Sequence, residues 1–142
     1  MTPVFVDTAA LIALGNRRDD FHLHAQAIKR ELIGVERPFV TTSLVIVELC
    51  NAFSSSGFRS TAVQMVESLH HSKRWNVVDV DREWMTVGFE LYRKMTDKEW
   101  SLVDCISILV ANRLKIFEIF TTDHHFEQAG LRILLPRPLL AG

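Results

Sequence analysis

Four acidic residues stand out by their type and setting: Asp7, Glu48, Asp104 and Asp123. Asp7 closes the apolar run Pro3-Val4-Phe5-Val6, and Asp123 follows Phe117-Glu118-Ile119-Phe120-Thr121-Thr122. Glu48 lies within Leu44-Val45-Ile46-Val47-Glu48-Leu49-Cys50, and Asp104 leads into the apolar stretch after Cys105. Carboxylates brought together repel one another, and their pKa values rise unless a cation screens them. The cation that tolerates an all-oxygen site with retained waters is Mg²⁺, with Mn²⁺ as the alternative. Such a site suits in-line attack of a metal-bound water on a phosphodiester, because the metal lowers the water's pKa and neutralises the charge that develops.

Taken singly, three of the four also read as structural. Asp7 and Asp123 each precede a helical stretch and could serve as N-caps. Ser101-x-x-Asp104 ahead of an apolar run matches a capping box. Glu48 differs. It falls in mid-helix, caps nothing, and has apolar neighbours on nearly every side. A partly buried carboxylate there costs several kcal/mol unless a cation or hydrogen-bond donors compensate. An arginine partner is the structural alternative to a metal. The four residues are tens of positions apart, so only the fold can gather them.

The elements that must do this follow from periodicity. Residues 3–6 read as a strand passing directly into a helix over 8–14. A helix is expected from Asp19 or Asp20 to Gly34, a strand over 38–41, and helices over 43–53 and 58–73. Residues 75–80 alternate like a strand, and Asp81 then caps a helix to about Met95. A strongly apolar helix spans 101–114, a strand 116–121, a short helix runs from Asp123 toward Gly130, and a last strand covers 131–134. Strands alternating with helices imply an α/β fold with a parallel sheet of four to five strands, covered on both faces. Ligands of such sheets sit outside the carboxyl ends of the strands. Asp7 and Asp123 fall there.

Composition narrows the field. The chain of 142 residues predicts one domain over 1–142, and 48% hydrophobic residues suffice for its core. Formal charge is −1, and the Lys and Arg residues are scattered, with pairs such as Arg17-Arg18, Lys29-Arg30 and Lys73-Arg74. No basic tail advertises nucleic acid, so a polyanion site must be made by folding or by a bound cation. Cys50 and Cys105 lie in apolar runs and read as reduced core thiols of a cytoplasmic protein. No signal-peptide pattern or membrane-length apolar stretch is visible. The histidines His22, His24, His70, His71, His124 and His125 lack zinc spacing. Trp75 and Trp84 read as packing residues, whereas Trp100, close to Asp104, is a candidate for base stacking. Asp79 and Asp81 form an acidic pair whose second member reads as a cap.

At the four acidic positions the chain resembles the PIN-domain family. The matching segments are Val4-Phe5-Val6-Asp7-Thr8, Val47-Glu48-Leu49-Cys50-Asn51, Asp97-Lys98-Glu99-Trp100-Ser101-Leu102-Val103-Asp104-Cys105 and Thr121-Thr122-Asp123-His124-His125-Phe126. The order Asp, Glu, Asp, Asp and the length both fit. The resemblance implies a PIN-like α/β/α sandwich and a metal-dependent endoribonuclease, with Asp7, Glu48, Asp104 and Asp123 as catalytic metal ligands. It also implies a VapC-type toxin of a toxin–antitoxin pair, with RNA as substrate, a cognate antitoxin and a homodimer. Asp97 belongs to a matching segment and is a further candidate. A PIN nuclease of RNA maturation and a non-catalytic PIN-like binding module are the alternatives.

Overall fold

The computed structural model of the chain describes residues 1–135. Five short strands form one sheet: β1 (Val4–Val6), β2 (Phe39–Thr42), β3 (Trp75–Val78), β4 (Glu118–Phe120) and β5 (Arg132–Ile133). Their order is β3-β2-β1-β4-β5, and every neighbouring pair is parallel. The helices are α1 (Thr8–Gly15), α2 (His22–Gly34), α3 (Ser43–Ala52), α4 (Ser56–His71), α5 (Arg82–Lys94) and α6 (Leu102–Arg113), followed by a 3-10 helix, His124–Ala129. Parallel neighbours need crossovers, and crossovers are right-handed. The chain steps from β1 to β2 to β3 in one direction across the sheet, which puts α1–α4 on one face. It then returns past β1 to β4, which puts α5 and α6 on the other. The result is the expected α/β/α sandwich.

β1 is buried at all three residues, as a central strand covered on both faces must be. Phe5, Phe39, Phe120 and Phe126 are the largest fully or almost fully buried side chains of the core. α1 is apolar all round and lies inside the molecule, between α2 and α3. α5 is the most amphipathic helix and lies on the surface against α6.

Local expectations hold with small shifts. α2 begins at His22 rather than at Asp19, because the Asp19 carboxylate accepts from the Phe21 amide and closes a turn ahead of the helix. Cys105 is buried, but Cys50 is exposed and is not a core thiol; both are free. The reason lies in α3: Val47 and Cys50, three residues apart, share its outward face, although the local run is apolar. Among the described residues no helix is long and apolar enough to cross a membrane.

Candidate active site

The strand order reverses at β1. The chain moves outward to β2 and β3 on one side, then resumes at β4 and β5 on the other. The crevice beyond the carboxyl ends of β1 and β4 is where such a sheet accepts ligands. β1 ends at Val6 and β4 at Phe120, and the Asp7 amide donates to the Phe120 carbonyl at 3.1 Å. Asp7 is therefore fastened at that crevice by the sheet itself. A shallow pocket there is lined by Asp7, Thr8, Ala9, Ile12, Glu48, Asn51, Asp104 and Asp123. The fold thus brings all four sequence-predicted acidic residues to one place. Asp97 is not among the lining residues: it is exposed and pairs with Lys98 at 3.2 Å, which lowers its pKa.

One oxygen of each carboxylate is held by a donor of the protein. Thr121 Oγ1 donates to Asp7 Oδ2 at 2.8 Å, and Thr8 Oγ1 donates to Glu48 Oε1 at 2.6 Å. The Ser101 amide donates to Asp104 Oδ2 at 2.9 Å, and the His125 amide donates to Asp123 Oδ1 at 2.9 Å. These four contacts decide between the readings left open by the sequence. Asp7 occupies the N-cap position of α1 without capping it, because its side chain turns to Thr121. Asp104 completes a capping box with Ser101, and Asp123 caps the 3-10 helix, so both are structural caps as well as pocket residues. Glu48 has no arginine or lysine within ion-pair distance among the described residues; its partner is Thr8.

Burial pushes the Asp7 carboxyl up to about 7 from 3.8. The Thr121 hydrogen bond opposes that rise, whereas the charges of Asp104 and Glu48 reinforce it. Asp104 is raised as well, first by burial and then by Asp123 and Glu48, against the hydrogen bonds of Ser101. Among the described residues no Lys or Arg lines the pocket. Asp7 and Asp104 therefore feel the neighbouring carboxylates with no such side chain in the pocket to offset them. Among the described residues, no three His, Cys, Asp or Glu are drawn closely enough together to grip an ion as they stand. The donor set itself is all-oxygen and rich in carboxylate, which suits a hard divalent cation and does not suit zinc.

Residues outside the four acids shape this centre. Trp100 is buried, and its indole Nε1 donates to the His125 carbonyl at 3.1 Å, so it packs rather than offering a face to bases. That bond ties the segment entering α6, which carries Asp104, to the 3-10 helix behind Asp123. His125 Nδ1 stands 3.1 Å from Asp123 Oδ1, and its Nε2 stands 3.6 Å from Glu99. Trp75 stacks at a tilt on Phe39, and Trp84 lies beneath Arg113. Sequence reasoning missed Thr8, Asn51 and Thr121. The hydroxyls stand directly after Asp7 and two residues before Asp123, yet nothing local shows that each serves a carboxylate from elsewhere in the chain.

Comparison with known proteins agrees with this geometry. The family model described as "PIN domain" matches residues 4–131. Among solved structures, VapC20 of Mycobacterium tuberculosis, titled a sarcin-ricin loop cleaving toxin, superposes with a TM-score of 0.78 at 25% identity, covering 90% of this chain and 95% of that one. FitAcB of Neisseria gonorrhoeae gives 0.68 at 16% identity, with 96% and 99% covered. VapBC2 of Rickettsia felis, solved with a promoter DNA fragment, gives 0.64 at 15% identity, with 92% and 96% covered. The latter two show a shared fold. No curated protein matches the chain by sequence. With nearly the whole described chain matched and the acidic crevice formed at the sheet's switch point, this chain belongs to the PIN domain family.

Proposed function

We propose that the chain is a divalent-metal-dependent endoribonuclease, the toxin of a toxin–antitoxin pair, with Asp7, Glu48, Asp104 and Asp123 as its catalytic metal ligands. One observation carries the reading: four carboxylates, from the residue after β1, from α3, from α6 and from the turn after β4, line a single pocket that holds no Lys or Arg among the described residues, and Asp7 is raised to about 7. A protein that keeps this repulsion loses stability by it, and a bound cation restores the balance. Mg²⁺ fits an all-oxygen donor set, and Mn²⁺ is tolerated by the same ligands. Such an ion supplies a lowered pKa for water and neutralises charge developing on a phosphodiester.

The chain's own residues do the positioning. Thr121 and Thr8 hold one oxygen each of Asp7 and Glu48, and backbone amides hold one oxygen each of Asp104 and Asp123. The four carboxylates would hold the ion and orient the attacking water with the oxygens that these bonds leave over. Among the described residues no Ser–His or Cys–His pair lines the pocket, and the carboxylates carry the chemistry. RNA as the substrate class rests on the likeness to VapC20. A cognate antitoxin covering the site, and pairing with a second copy of the chain, rest on the family resemblance. The exposed apolar stripe Met85, Phe89 and Tyr92 on α5 supports the pairing.

The test is cleavage of RNA by the purified chain with Mg²⁺, with Mn²⁺ and with excess EDTA. Metal-dependent cleavage leaving 5′-phosphate ends is expected. Full activity in EDTA, or 2′,3′-cyclic phosphate ends, would overturn the proposal. Light scattering at micromolar concentration tests the pairing, and a monomer would refute it.

A further inference from the structure

An acidic centre on a chain of charge −1 repels the polyanion it is proposed to cut. Binding must then draw on cations elsewhere on the surface, because contacts to phosphates dominate nucleic-acid affinity. The concavities of the molecule differ in this respect. One is lined by Arg37 and Arg132, but both pair with Glu118. Another is lined by Arg93 and Lys98, which pair with Glu90 and Asp97. A third, between α1, α2 and α4, is lined by Arg17, Lys29 and Arg30, and its extension adds Arg18. Among the described residues none of these four cations makes an ion pair, and all four are exposed.

This groove and the acidic pocket share one helix. Thr8 and Ile12 line the pocket, Gly15 lines the groove, and the three lie on one face of α1 at spacings of four and three. At 1.5 Å per residue, roughly 10 Å separates the two ends. Gly15 permits the groove's close walls: a Cβ there would stand 2.6 Å from Phe53 Cε2 and 2.8 Å from Met65 Sδ. His22 Nδ1, 2.8 Å from the Ala13 carbonyl, ties the start of α2, the helix that carries Lys29 and Arg30, to the far end of α1.

We propose that the groove between α1, α2 and α4, lined by Arg17, Lys29 and Arg30, binds the phosphate backbone of the RNA strand whose scissile phosphate reaches the acidic pocket. The inference rests on the proposed nuclease reading for its ligand. Its mechanism is sequence-independent, since phosphate contacts position a strand without reading bases. α1 then acts as a short ruler, fixing how far the anchored phosphates lie from the point of cleavage.

The experiment is fluorescence anisotropy of a labelled single-stranded RNA of mixed sequence, with the full chain in EDTA so that no cleavage intervenes. The parent is compared with Arg17→Gln/Lys29→Gln/Arg30→Gln and with a control on α5, Arg82→Gln/Arg93→Gln/Lys94→Gln. Both triples lower the net charge equally. The groove variant is expected to bind at least tenfold more weakly. Its salt dependence, as log K against log salt, should flatten by roughly 0.7 per cation removed, while the control stays near the parent. Equal losses in the two triples, or none in the groove triple, would overturn the proposal. So would polyglutamate competing as well as RNA of equal charge, which would assign the groove to an acidic protein. If the groove triple fails to fold by thermal melt, Arg17→Gln and Lys29→Gln/Arg30→Gln are measured separately against the same criteria. Failure of the nuclease reading shows independently, as absence of metal-dependent cleavage by the parent.

Discussion

Thr121 Oγ1 and Asp7 Oδ2 meet at 2.8 Å although 114 residues separate them in the chain. The bond joins the ends of the two central strands at the point where the sheet order reverses, and it aims the Asp7 carboxylate. It does not overcome burial, which leaves the Asp7 pKa near 7. The folded protein therefore takes up a proton at Asp7 that the unfolded chain holds only below about pH 4.

The first prediction follows from that difference. Without metal, the contribution of Asp7 to stability is present at low pH and is lost as pH rises through about 7. Between those limits stability should fall by roughly 1.4 kcal/mol per pH unit from this group. Asp7→Asn cannot ionise, keeps an oxygen for Thr121, and should remove that slope while abolishing cleavage. Denaturant titrations in EDTA from pH 4.5 to 8 would check this; parallel curves for the two proteins would refute it.

Glu48→Gln and Asp104→Asn should each lower cleavage by about 10²–10³-fold or more, since each removes a charge that would hold the cation. Neither should destabilise the metal-free protein strongly. Glu48 is paired with the Thr8 hydroxyl rather than with a cation, and Gln can accept the same hydrogen bond. Asp104 stands at the third helical position of the capping box, where the amide oxygen of Asn can still accept from the Ser101 amide. Added Mg²⁺ should raise the melting temperature of the parent more than that of either variant. A loss of about 3–5 kcal/mol in Glu48→Gln, the cost of breaking a buried ion pair, would contradict the assignment.

Trp100→Phe removes the indole donor to the His125 carbonyl and leaves part of the buried ring volume unfilled. The stability cost should be about 1 kcal/mol for the hydrogen bond plus a further loss for the unfilled volume. Because that bond links the Asp104 segment to the Asp123 segment, the Mg²⁺-induced rise in melting temperature should also shrink. A variant that loses stability but keeps the full metal response would show Trp100 to be structural only.

Gly88→Ala tests the α5–α6 interface. On an exposed helix this change stabilises by about 1 kcal/mol. Here a Cβ would run into Ile106 Cγ1 and Cδ1, and Ile106 is fully buried in α6. Overpacking of this kind costs about 1–3 kcal/mol. The variant should therefore melt below the parent, and an increase in melting temperature would show that α5 can retreat freely from α6.

The fold class was legible because strands and helices leave local signatures. Apolar runs of three to six residues alternate with helical periods, and each observed strand falls within a residue or two of where those runs stand. The caps were legible for the same reason: Asp81, Ser101 with Asp104, and Asp123 each hold an amide within three residues. The start of α2 was not, because Asp19 uses its carboxylate for a turn that mimics a cap. The outward face of α3 was not either. Val47 and Cys50 are apolar by type, and only the placement of α1 and α4 beside α3 leaves them outside.

By itself the sequence determined which residues could ionise, which segments would become strands or helices, and that Asp7 would stand at a strand's end. It also held the resemblance that named the four acids together. Only the tertiary structure decided that β1 lies between β2 and β4, and hence that Asp7 meets Thr121 and that Glu48 meets Thr8 across 40 residues. The same packing set Arg17 against Lys29 and Arg30 along one groove. Local propensity acts over a few residues, whereas strand order and cross-element hydrogen bonds arise from how buried faces and right-handed crossovers fit together. That fit leaves no mark in any single stretch of the chain.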